Sequence, residues 1–347
     1  MNLFNAWSEE DRMVRGESLM FAGTREASLL FPVRKVLRVY QPQENRTYVE
    51  GSDYVWTPGS AKISLTDNSA IPALTKEELT PSKEKGILYP LPGNNAIPGG
   101  PNGSLLIFDN ADFFARHQVE VDYEAECMDF PELLGTQLDK LPRVRKKLAA
   151  GEHVEVVHLG DSISDGFNAS GFVGVPPYRP TWSQQFVSHL QEKYGAHIQY
   201  RNFAINGSGC LKAIDMRELW MNRKTDLLIL AYGMNDVGLG VDVFLNAHRL
   251  LIGLARLHNP NVEIILVATM AANPIWSVVD PEKLQAQHDG FMKLAAEYGS
   301  EVAVANVYDV WQECVRRKGY YSLTGNGVNH TNDFGHKIYM GVLEKIL

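Results

Sequence analysis

Cysteine is scarce in this chain of 347 residues, and its three copies lie far apart. Cys127, Cys210 and Cys314 do not have the close spacing of a zinc site, and an odd number cannot form a complete set of disulfides. We therefore expect reduced, mostly buried thiols and no metal ion.

The chain also lacks an excess of positive charge. Its formal net charge is −8, from 33 Lys and Arg against 41 Asp and Glu. Without a basic stripe, neither nucleic acid nor an anionic membrane surface is an expected partner. No segment approaches the ~20 apolar residues that a membrane-spanning helix needs. The hydrophobic content of 45% and charged content of 21% are instead those of a globular protein.

A secretion signal is missing from the first residues of the sequence. Residues 1–11 have neither a basic start nor an apolar core, and a signal peptide needs both. We therefore expect a cytoplasmic protein. Whether it forms a homo-oligomer is left open.

The first part of the sequence alternates apolar and polar residues in short runs. These runs are separated by turn-forming residues, for example at 92–95 and 98–101, and they cover residues 36–40, 61–65, 105–108 and 118–123. Such a pattern predicts antiparallel strands. We expect a jelly-roll-like β-sandwich domain over residues 1–130.

From residue 152 onward, strand and helix patterns alternate. Strands are predicted at 153–159, 198–204, 226–232, 262–269 and 301–307. Large apolar residues recur every fourth position ahead of Gly195, at Trp182, Phe186, Leu190 and Tyr194. The alternation predicts an α/β domain over 152–347, with helices on both faces of a parallel sheet. A helix at 133–150 is expected to link the two domains, within a connecting segment at 131–151.

Polar blocks follow the first three of these strands, and a fourth block precedes the last helix. They are Gly160-Asp161-Ser162, then 202–207, then Gly233-Met234-Asn235-Asp236, and finally 330–336. The carboxyl ends of parallel strands meet at one edge of a sheet, where ligands bind. We therefore expect the four blocks to form one site.

The residue types in these blocks suit acyl transfer. Ser162 is the candidate nucleophile, and His330 is the candidate base that takes its proton. The oxyanion that forms needs hydrogen-bond donors, which the backbone N–H groups of Ser162 and Gly207 and the side-chain amide of Asn235 can supply.

The four blocks resemble those of the GDSL or SGNH family of serine esterases and lipases, over roughly residues 152–347. Ser162, Gly207, Asn235 and His330 match the four family positions in order. The resemblance implies a flavodoxin-like three-layer α/β/α fold. It also implies ester hydrolysis without a metal or an organic cofactor.

One position departs from the family pattern. The family usually has an aspartate three residues before the histidine, to orient the imidazole, and this chain has Gly327 there. We expect a Ser–His dyad whose His330 is oriented by a backbone carbonyl or by Asn326. Asp333 is a poorer candidate, because Asn332-Asp333 is typical of a helix N-cap.

Aromatic residues near the predicted site suggest a sugar-containing substrate. Tyr178, Trp182 and Trp276 are candidates, because aromatic faces beside polar groups bind sugar rings. The order of domains resembles that of two-domain carbohydrate acetyl esterases. We expect deacetylation of xylo- or other plant oligosaccharides through an acyl-enzyme on Ser162. A short-chain lipase or thioesterase, and a catalytically weak sugar-binding protein, remain as alternatives.

Overall fold

The computed structural model describes residues 12–85, 95–133, 135 and 137–347. Residues 1–11 and most of the turn predicted at 92–95 lie outside this part of the chain. The N-terminal strands are β1 (Met13–Leu19), β2 (Phe21–Ala22), β3 (Glu26–Ser28), β4 (Val33–Gln41), β5 (Arg46–Tyr48), β6 (Tyr54–Trp56), β7 (Lys62–Leu65), β8 (Ala73–Leu74), β9 (Ala96–Pro98), β10 (Leu105–Ile107) and β11 (Val119–Ala125). Two short helices accompany them, α1 (Lys76–Leu79) and α2 (Phe113–Arg116).

Small sheets dominate the N-terminal region. The largest is antiparallel, with the strand order β1–β11–β4–β5, and a second has the order β3–β7–β6. Strands β9 and β10 pair with each other. The alternating runs at 36–40, 61–65, 105–108 and 118–123 lie in β4, β7, β10 and β11, so these predicted strands are confirmed. The jelly-roll-like sandwich is a finer arrangement than these sheets establish and stays a prediction.

The helix between the two regions is shorter than the predicted 133–150. It is α3 (Pro142–Ala149). Leu141, just before it, has a left-handed backbone with φ of 55°, which a right-handed helix cannot contain. Pro142 fits the first helical position because its missing N–H has no partner there. These two residues fix the start of the helix and correct the prediction.

The second region contains a five-stranded parallel sheet. Its strands are β12 (Val154–Gly160), β13 (Ile198–Asn202), β14 (Leu227–Ala231), β15 (Glu263–Ala268) and β16 (Val302–Asn306), which confirms all five predictions. The strand order is β13–β12–β14–β15–β16. In chain order this is 2-1-3-4-5, the order of flavodoxin-like sheets.

Helices cover both faces of this sheet. They are α4 (Ser162–Asp165), α5 (Ser170–Val173), α6 (Trp182–Tyr194), α7 (Cys210–Asp215), α8 (Arg217–Trp220), α9 (Val241–His258), α10 (Pro281–Glu297), α11 (Val307–Lys318) and α12 (Asp333–Glu344). Because crossovers are right-handed, α6 lies on the face opposite to α9 and α10. Helix α12 packs against α6, and α9 packs against α10. None of the helices in the described part of the chain is long and apolar enough to cross a membrane.

A buried ion pair joins the two regions. Lys318, at the end of α11, lies 2.6 Å from the carboxylate of Glu17 on β1, and both side chains are fully buried. The same carboxylate accepts hydrogen bonds from the Tyr123 hydroxyl and the Leu30 N–H, each at 2.7 Å. These additional bonds compensate for the hydration that the charges lose. The N-terminal sheet is therefore anchored directly to the α/β region.

Candidate active site

The parallel sheet holds Ser162 on a tight turn at its carboxyl edge. Strand β12 ends at Gly160, and helix α4 begins at Ser162. Asp161 caps this helix, because its Oδ1 accepts the N–H of Ile163 at 2.9 Å. Such a strand-to-helix turn holds a nucleophile rigidly. Asp161 has the structural role that its position in the turn predicts.

His330 faces this serine from the loop before α12. Ser162 Oγ lies 2.9 Å from His330 Nε2, although the two residues are 168 positions apart. Burial, with a smaller effect from His336, lowers the pKa of His330 to about 3. The ring is therefore neutral near pH 7, as a general base must be.

The other ring nitrogen of His330 is held by Asn168. Its Nδ1 lies 2.8 Å from the side-chain oxygen of Asn168. An amide oxygen only accepts hydrogen bonds, so Nδ1 carries the ring proton and Nε2 keeps a lone pair facing Ser162. Ser162, His330 and Asn168 thus form a continuous hydrogen-bonded chain.

Asn168 is not among the site residues predicted from the sequence. The family pattern points to the segment upstream of the histidine, whereas Asn168 lies six residues after Ser162. It is buried and has a left-handed backbone with φ of 65°, which asparagine tolerates better than most residues. Its amide nitrogen donates to the carbonyl of Ala111 in the N-terminal region at 3.3 Å. This long-range contact leaves no signal in the sequence around Asn168.

Asn326 has a different role from the one predicted. Its Oδ1 accepts the backbone N–H groups of Val328, Asn329 and His330, each at 3.0 Å. The side chain therefore shapes the loop that presents His330 and does not contact the imidazole. The prediction that Asn326 orients the ring is wrong, because backbone donors of its own loop occupy its oxygen.

The N-terminal region occupies the space that an aspartate at position 327 would need. Gly327 has φ of 93°, a backbone conformation that side chains rarely adopt. A Cβ there would lie 2.6 Å from the ring of Phe114 and would collide with the carbonyl oxygen of Ile107. The family aspartate is therefore sterically excluded, and the asparagine on the nucleophile side contacts Nδ1 instead.

The predicted oxyanion donors follow three neighbouring strands. Ser162 follows β12, Gly207 follows β13 and Asn235 follows β14. Gly207 and Asn235 are exposed, and no atom lies within 4 Å of a Cβ built on Gly207. The Asn235 amide donates one hydrogen bond, at 3.0 Å, to the carbonyl of Ser208. This bond joins the two loops and leaves the second amide hydrogen for a ligand.

Two buried carboxyl groups lie beneath this edge of the sheet. Asp236 accepts the N–H of Cys210 at 3.0 Å, so it anchors loop backbone. Burial, with a further contribution from Asp236, raises the pKa of Asp161 to about 7. One oxygen of each carboxyl has no hydrogen-bond partner among the described residues. These acids act on the turn and loop backbone and do not contact His330.

An aromatic pair covers one side of the histidine. Phe167 meets the His330 ring edge to face, with 5.4 Å between the ring centres, and packs on Phe172 at 4.4 Å. The Phe172 side chain is 43% exposed. The pair shields the imidazole from water and adds an apolar surface next to Ser162.

The three aromatic residues predicted to bind substrate lie in different environments. Tyr178 is 62% exposed on the loop before α6. Trp276 is half-buried, and its Nε1 donates to the Pro98 carbonyl at 3.2 Å. Trp182 is fully buried and donates to the carbonyl of Ile163 at 3.1 Å. The prediction for Trp182 is wrong, because its place on the inner face of α6 puts the ring in the core.

Asn332 and Asp333 begin the last helix. Asn332 caps α12 by accepting the N–H of Gly335 at 3.1 Å, as predicted. Asp333 accepts the N–H of Ser170 at 2.8 Å. Its carboxylate is therefore directed at the segment after Ser162 and not at the imidazole. Within the described residues, no three His, Cys, Asp or Glu side chains are grouped as metal ligands.

Sequence comparison identifies the family. The model of the GDSL-like Lipase/Acylhydrolase family matches residues 158–338, just over half of the chain. The chain belongs to this family. Ser162, Gly207, Asn235 and His330 all lie within the matched segment. No curated protein matches the chain significantly.

Solved structures with similar folds include other GDSL proteins. A putative GDSL-like lipase from Parabacteroides merdae is 17% identical, with 55% of this chain and 94% of that chain covered and a TM-score of 0.46. A two-domain esterase active on acetylated mannans is 18% identical, with a TM-score of 0.48, and the match spans 60% of this chain but only 52% of that one. A carbohydrate esterase of family 3 from Talaromyces cellulolyticus is 15% identical, with 55% and 94% covered and a TM-score of 0.44.

Proposed function

We propose that this protein is a serine esterase in which Ser162 is the nucleophile and His330 is the general base. The observation that carries the proposal is the hydrogen-bonded chain from Ser162 through His330 to Asn168, with distances of 2.9 and 2.8 Å. A neutral imidazole that is held at one nitrogen and faces a hydroxyl with the other suits acyl transfer. Membership of the GDSL-like family supports ester hydrolysis.

Acylation begins when His330 Nε2 removes the Ser162 hydroxyl proton. Ser162 Oγ attacks the ester carbonyl, and the resulting oxyanion accepts hydrogen bonds from the N–H groups of Ser162 and Gly207 and from the Asn235 amide. The imidazolium then gives its proton to the leaving alcohol oxygen as the carbon–oxygen bond breaks. The product is an acyl-enzyme on Ser162.

Deacylation repeats these steps with water as the nucleophile. His330 takes a proton from water, the hydroxyl attacks the acyl carbon, and Ser162 leaves with the proton returned by the imidazolium. Asn168 keeps Nδ1 protonated throughout. Because its amide is neutral, it orients the ring but stabilises the imidazolium less than an aspartate does.

The proposed substrate is a short-chain, acetyl ester of an oligosaccharide, such as an acetylated xylo-oligosaccharide. Exposed Phe172 lies on α5 and exposed Tyr178 on the loop before α6, and polar Asn206 and Asn235 are also exposed on loops at this edge of the sheet. Aromatic faces beside polar groups suit sugar rings. The β-rich region ahead of the hydrolase region resembles the order in two-domain carbohydrate acetyl esterases.

Substitution of the nucleophile tests the reaction. With an aryl acetate as substrate, Ser162→Ala is expected to lower kcat by roughly 10⁴-fold or more. Ser164→Ala is the matched control, because Ser164 is buried on the same turn but does not contact His330. Wild-type turnover by Ser162→Ala would overturn the proposal.

Chain-length selectivity and sugar deacetylation test the substrate class. We expect faster turnover of acetate than of octanoate esters, and release of acetate from acetylated oligosaccharides. The Phe167–Phe172 surface beside His330 favours a second candidate, a lipase or thioesterase with a longer acyl chain. Equal or faster turnover of octanoate would select that candidate.

A catalytically weak sugar-binding protein is the alternative of another class. The absent aspartate at Gly327 is its main support. Stoichiometric labelling of Ser162 by a fluorophosphonate would count against it, because labelling needs an activated hydroxyl. Oligosaccharide binding without labelling would favour it.

The division into domains is also a proposal. Residues 1–130 would form the β-sandwich domain and 152–347 the hydrolase domain, joined by the segment 131–151. The small sheets before residue 126 and the parallel sheet after residue 153 support this division.

A further inference from the structure

A second cleft opens where the N-terminal sheet meets the α/β region. It has a volume of about 350 Å³, which is sufficient for a small ligand. Neither Ser162, His330 nor Asn168 lines it. This seam cleft is lined by Arg15, Arg38 and Asp122 from the N-terminal sheet. Arg179, Gln185 and Lys337 line it from the α/β region.

The carboxylates at the seam cleft already have partners. Asp122 accepts the Gly16 N–H at 2.7 Å and pairs with Arg38 at 3.2 Å. Arg179 donates from two nitrogens to the two carboxylate oxygens of Glu120. The carboxylates of Asp122 and Glu120, which lie nearest to the cleft, are therefore already neutralised by arginines.

Two cations at the seam cleft are not paired with a carboxylate in the described part of the chain. Lys337 is only 5% exposed, and its Nζ donates to the backbone carbonyl of Arg15 at 2.7 Å. The Arg15 side chain is exposed at the rim. Burial, with repulsion from Arg179, lowers the pKa of Lys337 to about 8, although Glu120, Asp333 and Asp122 act in the opposite direction. Because these three carboxylates are already paired with Arg38 and Arg179, the buried ammonium is stabilised further when an anion binds beside it.

A buried acceptor lies in the wall of the same cleft. Gln185 is 1% exposed, and its Nε2 donates to the carbonyl of Pro180 at 2.7 Å. Its Oε1 has no hydrogen-bond partner among the described residues. An unsatisfied buried oxygen is costly, and a ligand hydroxyl would satisfy it once the Gln185 side chain turns toward the cleft, because this oxygen is closed to solvent in the structure.

We propose that the seam cleft binds a small hydroxylated anion, such as a sugar acid or a sugar phosphate. Lys337 and Arg15 supply the positive charge for its carboxylate or phosphate, and the guanidinium of Arg38, which is paired with Asp122, adds further hydrogen-bond donors. Gln185 accepts a hydrogen bond from one of its hydroxyl groups. The site is separate from the catalytic residues, so the proposal does not depend on the esterase reaction.

Calorimetric titration of the full-length protein tests the proposal. The probes are glucuronate, glucose 6-phosphate, glucose and inorganic phosphate. We expect saturable binding of at least one anionic sugar, none of glucose at the same millimolar concentrations, and weaker binding of inorganic phosphate. Comparing the two anionic sugars distinguishes a carboxylate from a phosphate ligand. Absence of saturable binding with both, or equal affinity for glucose, overturns the proposal.

A matched pair of arginine variants locates the binding. Arg38→Ala is expected to weaken binding of the anionic sugar about tenfold or more. Arg34→Ala is the control, because Arg34 lies on the same strand and pairs with Glu124 at 3.0 Å but does not line the cleft. Equal losses in both variants overturn the assignment of the site.

Lys337→Met removes the buried charge while keeping a similar side-chain length. It is expected to abolish measurable binding, and thermal unfolding checks that the variant is folded. If a folded Lys337→Met protein binds as tightly as wild type, the proposal is wrong. If the variant does not fold, the comparison of Arg38→Ala with Arg34→Ala decides.

Discussion

The serine turn (residues 160–162) and the histidine loop (residues 323–332) meet at Ser162 and His330, but different parts of the chain hold them in place. The turn is fixed within the α/β region by the cap at Asp161 and by a bond from the Ile205 N–H to the Gly160 carbonyl at 3.0 Å. These contacts belong to the parallel sheet and its first loops.

The histidine loop depends on the N-terminal region. The Asp109 N–H donates to the Asn326 carbonyl at 3.3 Å, and Val328 packs in a buried cluster with Leu106 and Phe108. Asn332 donates to the Gln118 side chain at 2.9 Å. The difference explains why this site departs from the family pattern only on the histidine side. There, a second part of the molecule fills the space of the usual acid.

Asn235→Ala tests the sheet-edge side of the site and, after removal of Ser162 itself, has the largest expected effect. Loss of one oxyanion donor lowers kcat by about 10²–10³-fold. The binding of substrate should change much less, because the donor acts mainly on the charge of the transition state. Steady-state kinetics with an aryl acetate measures both quantities. A change confined to KM would contradict an oxyanion role for Asn235.

Gly327→Asp tests how tightly the N-terminal region packs against the histidine loop. Although it restores the family residue, we expect a loss of activity of roughly a hundredfold and of stability of about 2–5 kcal/mol, from backbone strain and steric overlap with Phe114. Gly319→Asp is the control, because Gly319 also has a positive φ, 80°, but no atom lies within 4 Å of a Cβ there. Activity kinetics and denaturant unfolding distinguish the two variants. Higher activity in Gly327→Asp would contradict the steric explanation.

Much of the α/β region was predictable because its signals are local. Apolar runs with a defined periodicity mark β12 to β16, and a strand-end turn marks Ser162. Helix α3 begins at Pro142, later than predicted. The left-handed backbone of Leu141 prevents an earlier start, and that conformation is a property of the folded chain. Trp182 was misassigned because an aromatic residue on a helix has the same sequence signal whether it faces the core or the substrate.

The histidine side of the site was less predictable because its contacts cross long stretches of chain. Asn168 meets His330 across 162 positions and Ala111 across 57. No pattern within a short window links these three residues. The family pattern places the acid at position 327, where the N-terminal region leaves no space for a side chain.

Asn168→Ala tests the contact at which the serine side and the histidine side of the site meet, the hydrogen bond from His330 Nδ1 to Asn168. Removal of the bond to His330 Nδ1 is expected to lower kcat by about 10–100-fold, because a buried hydrogen bond to a group that becomes charged is lost. Asn222→Ala is a control, because Asn222 is exposed on the loop before β14, at the amino ends of the strands and away from the histidine. The measurement is kcat with an aryl acetate. Equal small effects in both variants would mean that Asn168 does not position the ring.

The pH profile gives the smallest and most graded effect. Activity needs neutral His330, so protonation as the pH falls removes the base. Since burial lowers its pKa from 6.5 to about 3, the acidic limb of kcat/KM should lie well below pH 6.5. A limb near pH 6.5–7 would show that the imidazole is exposed to water in the free enzyme.

The ring-nitrogen NMR spectrum of His330 decides the claim on which the proposed mechanism depends, that Asn168 replaces the usual aspartate. Protein labelled with ¹⁵N-histidine is compared with Asn168→Ala, and His330→Gln assigns the signals. We expect wild type to show one tautomer, protonated at Nδ1, and Asn168→Ala to show a mixture of both tautomers. An unchanged Nδ1–H tautomer in Asn168→Ala, or an Nε2–H tautomer in wild type, would contradict the claim.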